Sequence, residues 1–434
     1  MELEIILFIF LILSLVVLEK IMSNGNKGFV INFSNMFFIA LIAYTVLPMI
    51  DCIINEKHVM FISPFLIKCI LMVLSITLGY VLGNRSTGKM RFSSREYPVY
   101  CMSEGQQGFW TVFWGIIIIF FIGVNIVVNR GGISNAFNAS YRESYSGNDG
   151  NIAFLLYSAM PYAILFNDNE IIKTGRIRLA ACLFTAASIA FNMLMGNRNL
   201  AIMIVFAYAF ARFKNHRFNY IFIYGGMLAG VIGLGLIAVM REHSIVQALT
   251  GNAAINWDLA REYAVSFANG ELGTMFAFER YKQRIVSDFS FPYACGFSYF
   301  VLPIINIVPR SLWTSKPISY ADFFSQYAFG AFDGSGYGFS PIYEAEINFG
   351  IMWWMVFIFV GFLLARMSKK DKFNTQRFYD AGLMSCLVLN FFRIDFTTCF
   401  KFFAMMWVFK YMFLNSMRLT IGKQFNTNSI GVTR

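Results

Sequence analysis

Long apolar runs constrain the fold of this chain more than any other feature of its sequence. A hydrocarbon core about 30 Å thick requires roughly 20 apolar residues in a helix. Only helices and closed barrels satisfy the backbone polar groups in lipid, and barrel strands would alternate apolar and polar residues. These runs are apolar on every side, and 57% of the 434 residues are hydrophobic while 14% are charged. The sequence therefore predicts an all-α polytopic integral membrane protein.

The positions of the runs predict about eleven transmembrane helices, within a range of roughly 10–12. Their approximate bounds are 3–19, 34–54, 60–83, 108–128, 152–167, 178–196, 199–213, 218–240, 347–366, 378–394 and 399–416. The chain begins Met-Glu-Leu-Glu and lacks the positively charged start of a signal peptide, so the first run is expected to stay as a helix. No internal repeat of the kind found in many transporters is visible.

The distribution of positive charge predicts the topology of these helices. Most lysines and arginines of the short loops fall in alternate loops, and the positive-inside rule places those loops in the cytoplasm. The amino terminus is then outside and the carboxyl terminus inside. The predicted organisation is a scaffold of about eight spans over 1–240, a large external loop with short helices over 241–346, and helices with a cytoplasmic tail over 347–434.

An apolar stretch at 291–309 lies inside the long loop. If it crossed the membrane, every later loop would change sides and the cluster Lys369, Lys370 and Lys372 would face outward. Prolines at positions 292, 303 and 309 also interrupt the stretch. A re-entrant or interfacial element that packs against protein is the better prediction.

Composition also excludes several classes of function. The net charge of +11 follows from the loop cations and needs no nucleic acid partner. The seven cysteines form no Cys-x-x-Cys pair, and the chain has three histidines, so neither a zinc site nor a haem site is expected. The sequence predicts no metal and no cofactor.

Several arginines face outward against the usual charge bias, which is the first indication of a site. A guanidinium pairs bidentately with phosphate and keeps its charge, so converging arginines would bind a pyrophosphate and stabilise it as a leaving group. The alternative is contact with lipid headgroups or a solvated loop. The candidates for substrate binding are Arg130, Arg142, Arg198 and Arg241, and Arg310 is a candidate for the catalytic step.

Two glutamates lie in the stretch Ser-Pro-Ile-Tyr-Glu-Ala-Glu-Ile-Asn-Phe-Gly that precedes the ninth span. Glu344 and Glu346 share a face on a strand but point apart on a helix, so at most one need enter a site. Either is a candidate base for a sugar hydroxyl. Alternatively, the acid serves the helix macrodipole. The neighbouring candidates for substrate contact are Tyr343, Asn348 and Lys316, and His243 is a less favoured base.

These motifs together resemble a known family. They are a Gly-x-Arg turn ending at Arg198, an arginine at the outer end of a span (Arg241), the run Pro-Arg-x-x-Trp-x-x-Lys-Pro from Pro309 to Pro317, and the acidic stretch that ends in Asn348-Phe349-Gly350. The pattern is similar to that of the oligosaccharide repeat-unit polymerases of the O-antigen and capsule type, called Wzy. The resemblance covers roughly 125–370. It departs from members that carry Arg-x10-Gly repeats, because Tyr141 and Ala153 stand at that spacing here.

The resemblance implies a fold and a reaction. It implies a glycosyltransferase of the GT-C kind in the bacterial inner membrane, which joins oligosaccharide repeat units carried on undecaprenyl pyrophosphate at the periplasmic face. The growing glycan moves to the non-reducing end of a new lipid-linked unit, without metal. Membrane lipid and a chain-length regulator protein are the implied partners.

Two other functions stay open on the sequence. An enzyme like the O-antigen ligases would use a different acceptor and would give His243 more weight. A flippase or transporter of lipid-linked sugars would place charges within spans, around a cavity. The basic residues within predicted spans are Lys68, Lys401 and Lys410, and the side chains of the first two are long enough to extend to the outer interface.

Overall fold

The computed structural model describes part of the chain. The described residues are 2–23, 29–30, 33–86, 271–280, 295–308, 313–321, 323–324, 338–371, 390–400 and single positions or short stretches within 109–123, 179–187, 217–226 and 388–404. Apart from a two-residue antiparallel ladder between Phe29–Val30 (β1) and Arg217–Phe218 (β2), the described elements are helical. The predicted spans over 108–240 and 399–416 lie almost wholly outside these residues.

Three long helices form the amino-terminal part, and each matches a predicted span. They are α1 (Glu2–Ser23), α2 (Phe33–Ile54) and α3 (Val59–Ser86). All three are long and apolar enough to cross a membrane, and a fourth span results if one bent pair of helices is counted as one. The described part of the chain therefore has the helices of a membrane protein.

The carboxyl-terminal part contributes a bent pair of helices. Helix α6 (Pro341–Phe349) is followed by a 3-10 turn at Gly350–Met352 and by α7 (Trp354–Asp371). The axis turns by 117° at this break. Gly350 has φ 55° and ψ −130°, a conformation that a residue with a Cβ rarely adopts. The predicted span at 347–366 is thus wrong at its start, because the glycine ends α6 and redirects the chain into α7.

Small residues let α7 pack closely on α3. A Cβ at Gly79 would overlap the carbonyl group of Ile358, and a Cβ at Gly361 would overlap the carbonyl group of Ile76. Gly79 and Gly83 have the small-xxx-small spacing that lets helix backbones approach within a membrane. The hydroxyl of Ser34 on α2 donates to the carbonyl of Leu364 on α7 at 3.2 Å. This hydrogen bond joins α2 to the packed pair of α3 and α7.

The long loop carries short helices over the described part of the 291–309 stretch. These are α4 (Phe297–Phe300) and α5 (Leu302–Ile307), and Gly296 precedes them with φ 84°. Neither helix alone is long enough to cross a membrane. Phe300 and Ile304 expose most of their apolar side chains.

Candidate functional site

The structure describes five of the ten predicted site residues. Tyr343, Glu344, Glu346 and Asn348 all lie on α6, and Lys316 lies in the loop that follows α5. The other predicted site residues are outside the described residues: Arg130, Arg142, Arg198, Arg241 and Arg310, together with the alternative base His243.

The local sequence explains why α6 begins where it does. Ser340 is extended, with φ −107° and ψ 126°, and Pro341 occupies the first helical position, where its fixed φ suits a helix and its missing N–H costs nothing. Positions two apart on a helix point about 200° away from each other. Glu344 and Glu346 therefore face different parts of the protein, as the sequence predicted for a helix.

Glu344 faces the interior, where its side chain is 1% exposed. The hydroxyl of Ser298 on α4 donates to its Oε1 at 2.6 Å. The backbone N–H of Phe396 donates to its Oε2 at 2.7 Å. Because both carboxylate oxygens accept hydrogen bonds from other segments, Glu344 joins α6 to α4 and to the helical segment 396–400.

Asn348 lies one turn after Glu344 and completes the same network. Its Nδ2 donates to the hydroxyl of Ser298 at 2.8 Å and to the carbonyl of Glu344 at 2.6 Å. Its Oδ1 accepts from the backbone N–H of Ser298 at 3.3 Å. The hydroxyl of Thr397 donates to the carbonyl of Ser298 at 3.1 Å. We call Ser298, Glu344, Asn348, Phe396 and Thr397 the buried junction.

Asp395 is a buried residue of this region that the sequence analysis missed. Its side chain is fully enclosed, and its Oδ1 accepts from the backbone N–H of Thr398 at 3.3 Å, as in an N-cap. Burial, and then the negative charge of Asp395, raise the pKa of the Glu344 carboxyl above its usual value. The available signal was an aspartate three residues before Thr398 at the start of a helical run, which is typical of a cap.

Glu346 faces α3 and carries an ion pair. Its Oε2 lies 2.9 Å from Nζ of Lys68, and Oε2 of Glu279 lies 3.5 Å from the same nitrogen. The Glu346 side chain is 31% exposed, against 16% for Lys68 and 8% for Glu279. We call these three residues the ion network. Lys68, one of the basic residues within the predicted spans, thus pairs with two carboxylates.

Tyr343 lies between the two networks and is enclosed. Its ring stacks on Phe278 with centroids 4.1 Å apart, and Nζ of Lys68 lies 4.2 Å from the centroid of the ring. The ring belongs to an aromatic cluster with Phe324 and Phe339. With 1% of its surface exposed, Tyr343 supports the position of the ammonium and has almost no surface left for a sugar.

Lys316 is also buried, and its ammonium binds the chain itself. Nζ donates to the carbonyl of Val308 at 2.8 Å and to that of Asn306 at 3.4 Å. These carbonyls lie at the carboxyl end of α5, where a cation is favourable. Lys316 therefore closes the loop that contains the Pro-Arg-x-x-Trp motif.

Two tyrosines outside the membrane-spanning helices have pKa values that the buried junction raises. Burial, and then the charge of Glu344, raise the pKa of Tyr320 to about 12. The same two causes raise the pKa of Tyr299 well above its usual value. Both phenols therefore stay neutral near the junction over the physiological pH range.

The two glutamates of α6 differ in their exposure to solvent. Glu344 is enclosed and holds segments together, whereas Glu346 is partly open and is supported from behind by a cation. Of the two glutamates on α6, Glu346 is the one whose carboxylate is open enough to receive a proton from a bound molecule. Among the described residues, no group of His, Cys, Asp and Glu side chains has the arrangement of a metal site.

Comparisons with known proteins identify no relative. No family model matches the chain, and no curated protein or solved structure matches it either.

Proposed function

We propose that this chain is a glycosyltransferase that joins oligosaccharide repeat units carried on polyprenyl pyrophosphate, as Wzy-type polymerases do. The proposal includes a GT-C-like fold of about eleven spans, a location in the bacterial inner membrane and a site at its outer face. It rests on the motifs of the long loop and on the way the described residues connect two of them.

One observation carries the proposal. The hydrogen bond between Ser298 and Glu344 ties the acidic stretch on α6 to α4, and α4 leads directly through α5 into the Pro-Arg-x-x-Trp-x-x-Lys-Pro loop. Lys316, near the end of this loop, donates a hydrogen bond to the carbonyl of Val308, where the loop begins. The acidic stretch of α6 and the described residues on either side of Arg310, Val308 and Lys316, thus belong to one connected unit, as a glycosyl transfer would require.

The reaction assigns a role to each part of this unit. The oxygen of an acceptor sugar hydroxyl bonds to the anomeric carbon of the donor glycan, and the bond from that carbon to the pyrophosphate oxygen breaks. Glu346 takes the proton of the hydroxyl, and the polyprenyl pyrophosphate leaves with the electron pair of the broken bond. Arg310 and the other outward arginines would stabilise the charge on the leaving group. Glu344 keeps the unit assembled.

A second candidate function has one observation in its favour. Lys68 lies within an apolar helix and pairs with carboxylates, and charged groups at such a depth are typical of substrate or proton pathways. A transporter of lipid-linked sugars would use them in that way. The polymerase is preferred because the charges of the ion network pair with one another and because a transporter leaves the motifs of the long loop unexplained.

The test is complementation of a bacterial cell that lacks its own repeat-unit polymerase and makes the same repeat unit. Wild-type chain, Glu346→Gln and the control Glu56→Gln are expressed at equal levels, and surface glycan is separated by length. Glu56 is exposed in the turn between α2 and α3. We expect a ladder from wild type and Glu56→Gln, and a single repeat unit from Glu346→Gln. Absence of a ladder with the wild-type chain contradicts the proposal, and loss of the single-unit band as well would favour a transporter or ligase.

A further inference from the structure

We propose that Lys68 is a positioning residue of the active site, which holds the Glu346 carboxylate in the direction that the acceptor hydroxyl requires. This inference rests on the proposed function, and it adds a residue from a distant part of the chain. Lys68 acts through Glu346 and needs no contact with the substrate.

The depth of Lys68 makes its pairing significant. It lies about two and a half turns into α3, a helix that is apolar enough to cross a membrane. A charged side chain at such a position is costly unless it is paired, and charges of this kind usually mark function. A methionine would fill the same space without that cost.

The contacts of Lys68 fix the position of its ammonium from several sides. Glu279 contacts Nζ from the segment 271–280, and the ring of Tyr343 lies beneath it from α6. Glu346, also on α6, has the shortest ion-pair distance. A nitrogen held by two other groups provides a fixed point for the carboxylate of the third, which restricts the rotamers that Glu346 can adopt.

The charges of the ion network favour a positioning role over anion binding. The network holds one cation, Lys68, and two carboxylates, Glu279 and Glu346, so its net formal charge is negative. A negative network does not attract a pyrophosphate. Glu346 is its most exposed carboxylate, so the open side of the network presents an oxygen acceptor.

A double-mutant cycle tests the inference. Full-length wild type, Lys68→Met, Glu346→Gln and the double variant are purified into lipid nanodiscs and supplied with polyprenyl-pyrophosphate oligosaccharide extracted from the complemented cell. Turnover number and KM are measured per folded molecule. We expect Lys68→Met to lower the turnover number about 100-fold with little change in KM, as for a misplaced catalytic group. The double variant should match Glu346→Gln within about twofold, because Lys68 acts only through Glu346.

Two further variants keep the test decisive. Lys68→Arg retains the cation and should recover turnover to within about fivefold of wild type. The control Lys57→Met removes a lysine from an ion pair with Asp51, outside the ion network, and should leave turnover unchanged. The double variant also removes one positive and one negative charge together, so it leaves one carboxylate without its Lys68 partner where Lys68→Met leaves two.

Each other outcome has one meaning. If the losses in turnover number of the two single variants multiply in the double variant, Lys68 acts independently of Glu346. If folded Lys68→Met keeps its turnover number, Lys68 only stabilises the protein. Either result overturns the inference. If neither Lys68→Met nor the double variant folds, Lys68 serves stability alone, and the inference is overturned as well. No product from wild-type protein would instead overturn the proposed function, and this inference with it.

Discussion

Glu344 and Glu346 stand two residues apart on one helix and differ in almost every physical respect. Glu344 is enclosed, and neutral donors from two other segments bind both of its oxygens. Glu346 is partly open, and an ammonium within α3 binds it. The same side chain therefore serves as a structural connector in one position and as an accessible carboxylate in the other. The direction in which a helix presents a residue decides its role more than the identity of the residue does.

The largest expected effect comes from removing the connector. Glu344→Leu leaves the Ser298 hydroxyl and the Phe396 N–H buried without their acceptor, and each unsatisfied group costs about 1–3 kcal/mol. We expect a loss of about 2–5 kcal/mol in stability, measured as a lower melting temperature in detergent. Glu346→Leu is the matched change and should cost roughly 1 kcal/mol, because Glu279 still pairs with Lys68. A larger loss from Glu346→Leu would reverse the comparison.

A smaller effect is expected at the other buried ammonium, Lys316. Its ammonium donates to two backbone carbonyl groups, whereas that of Lys68 pairs with two carboxylates. Lys316→Met should cost about 1.5–3 kcal/mol, the range for hydrogen bonds that involve a charged group. Ser315→Ala, which removes the exposed acceptor of the Trp313 indole N–H, is the control and should change the melting temperature little. Equal melting temperatures for Lys316→Met and wild type would refute the role of Lys316 in closing the loop.

The smallest expected effect concerns pH and tests whether the charge of Glu344 raises the pKa of Tyr320. The pKa of Tyr320 is raised to about 12 in the folded protein, above its usual value near 10, so the fold favours the neutral phenol. The resulting stability is fully present below pH ~10 and is lost as pH rises through the folded pKa of about 12.

Difference titration of tyrosinate absorbance between wild type and Tyr320→Phe would measure this pKa. Repeating the titration with Glu344→Gln should lower it, because the charge of Glu344 is the second cause of the shift. Glu346→Gln is the control and should leave it unchanged. An unaltered Tyr320 pKa in Glu344→Gln would mean that burial alone produces the shift.

Local sequence signals predicted the helices well and their breaks less well. Apolar runs of sufficient length identified α1, α2 and α3, since a helix needs roughly 20 apolar residues to cross a membrane. The break at Gly350 was missed because the apolar run continues through it, although the Pro341 start and the glycine mark a separate short helix. The opposite directions of Glu344 and Glu346 followed from helical periodicity once a helix was assumed.

Long-range partners were beyond the sequence analysis. Lys68 pairs with residues more than 200 positions away, at sequence separations of 211 and 278. Ser298 and Asn348, 50 positions apart, likewise meet only after the loop folds back. No periodicity records such contacts, so the partners of Lys68 were not predicted and Asp395 was not considered. The arginines predicted to hold the pyrophosphate lie outside the described residues and stay predictions.

The measurement that decides between the two glutamates is the turnover number of Glu344→Gln and Glu346→Gln, per folded molecule, on the same lipid-linked oligosaccharide in nanodiscs. Glutamine keeps an oxygen acceptor in both places but cannot take a proton. We expect Glu346→Gln to fold like wild type and to lose about 100-fold or more in turnover, within the usual contribution of a general base. Glu344→Gln should melt earlier and keep turnover within roughly tenfold of wild type. A folded Glu346→Gln with wild-type turnover, beside an inactive Glu344→Gln, would contradict the assignment and place the chemistry at the buried junction.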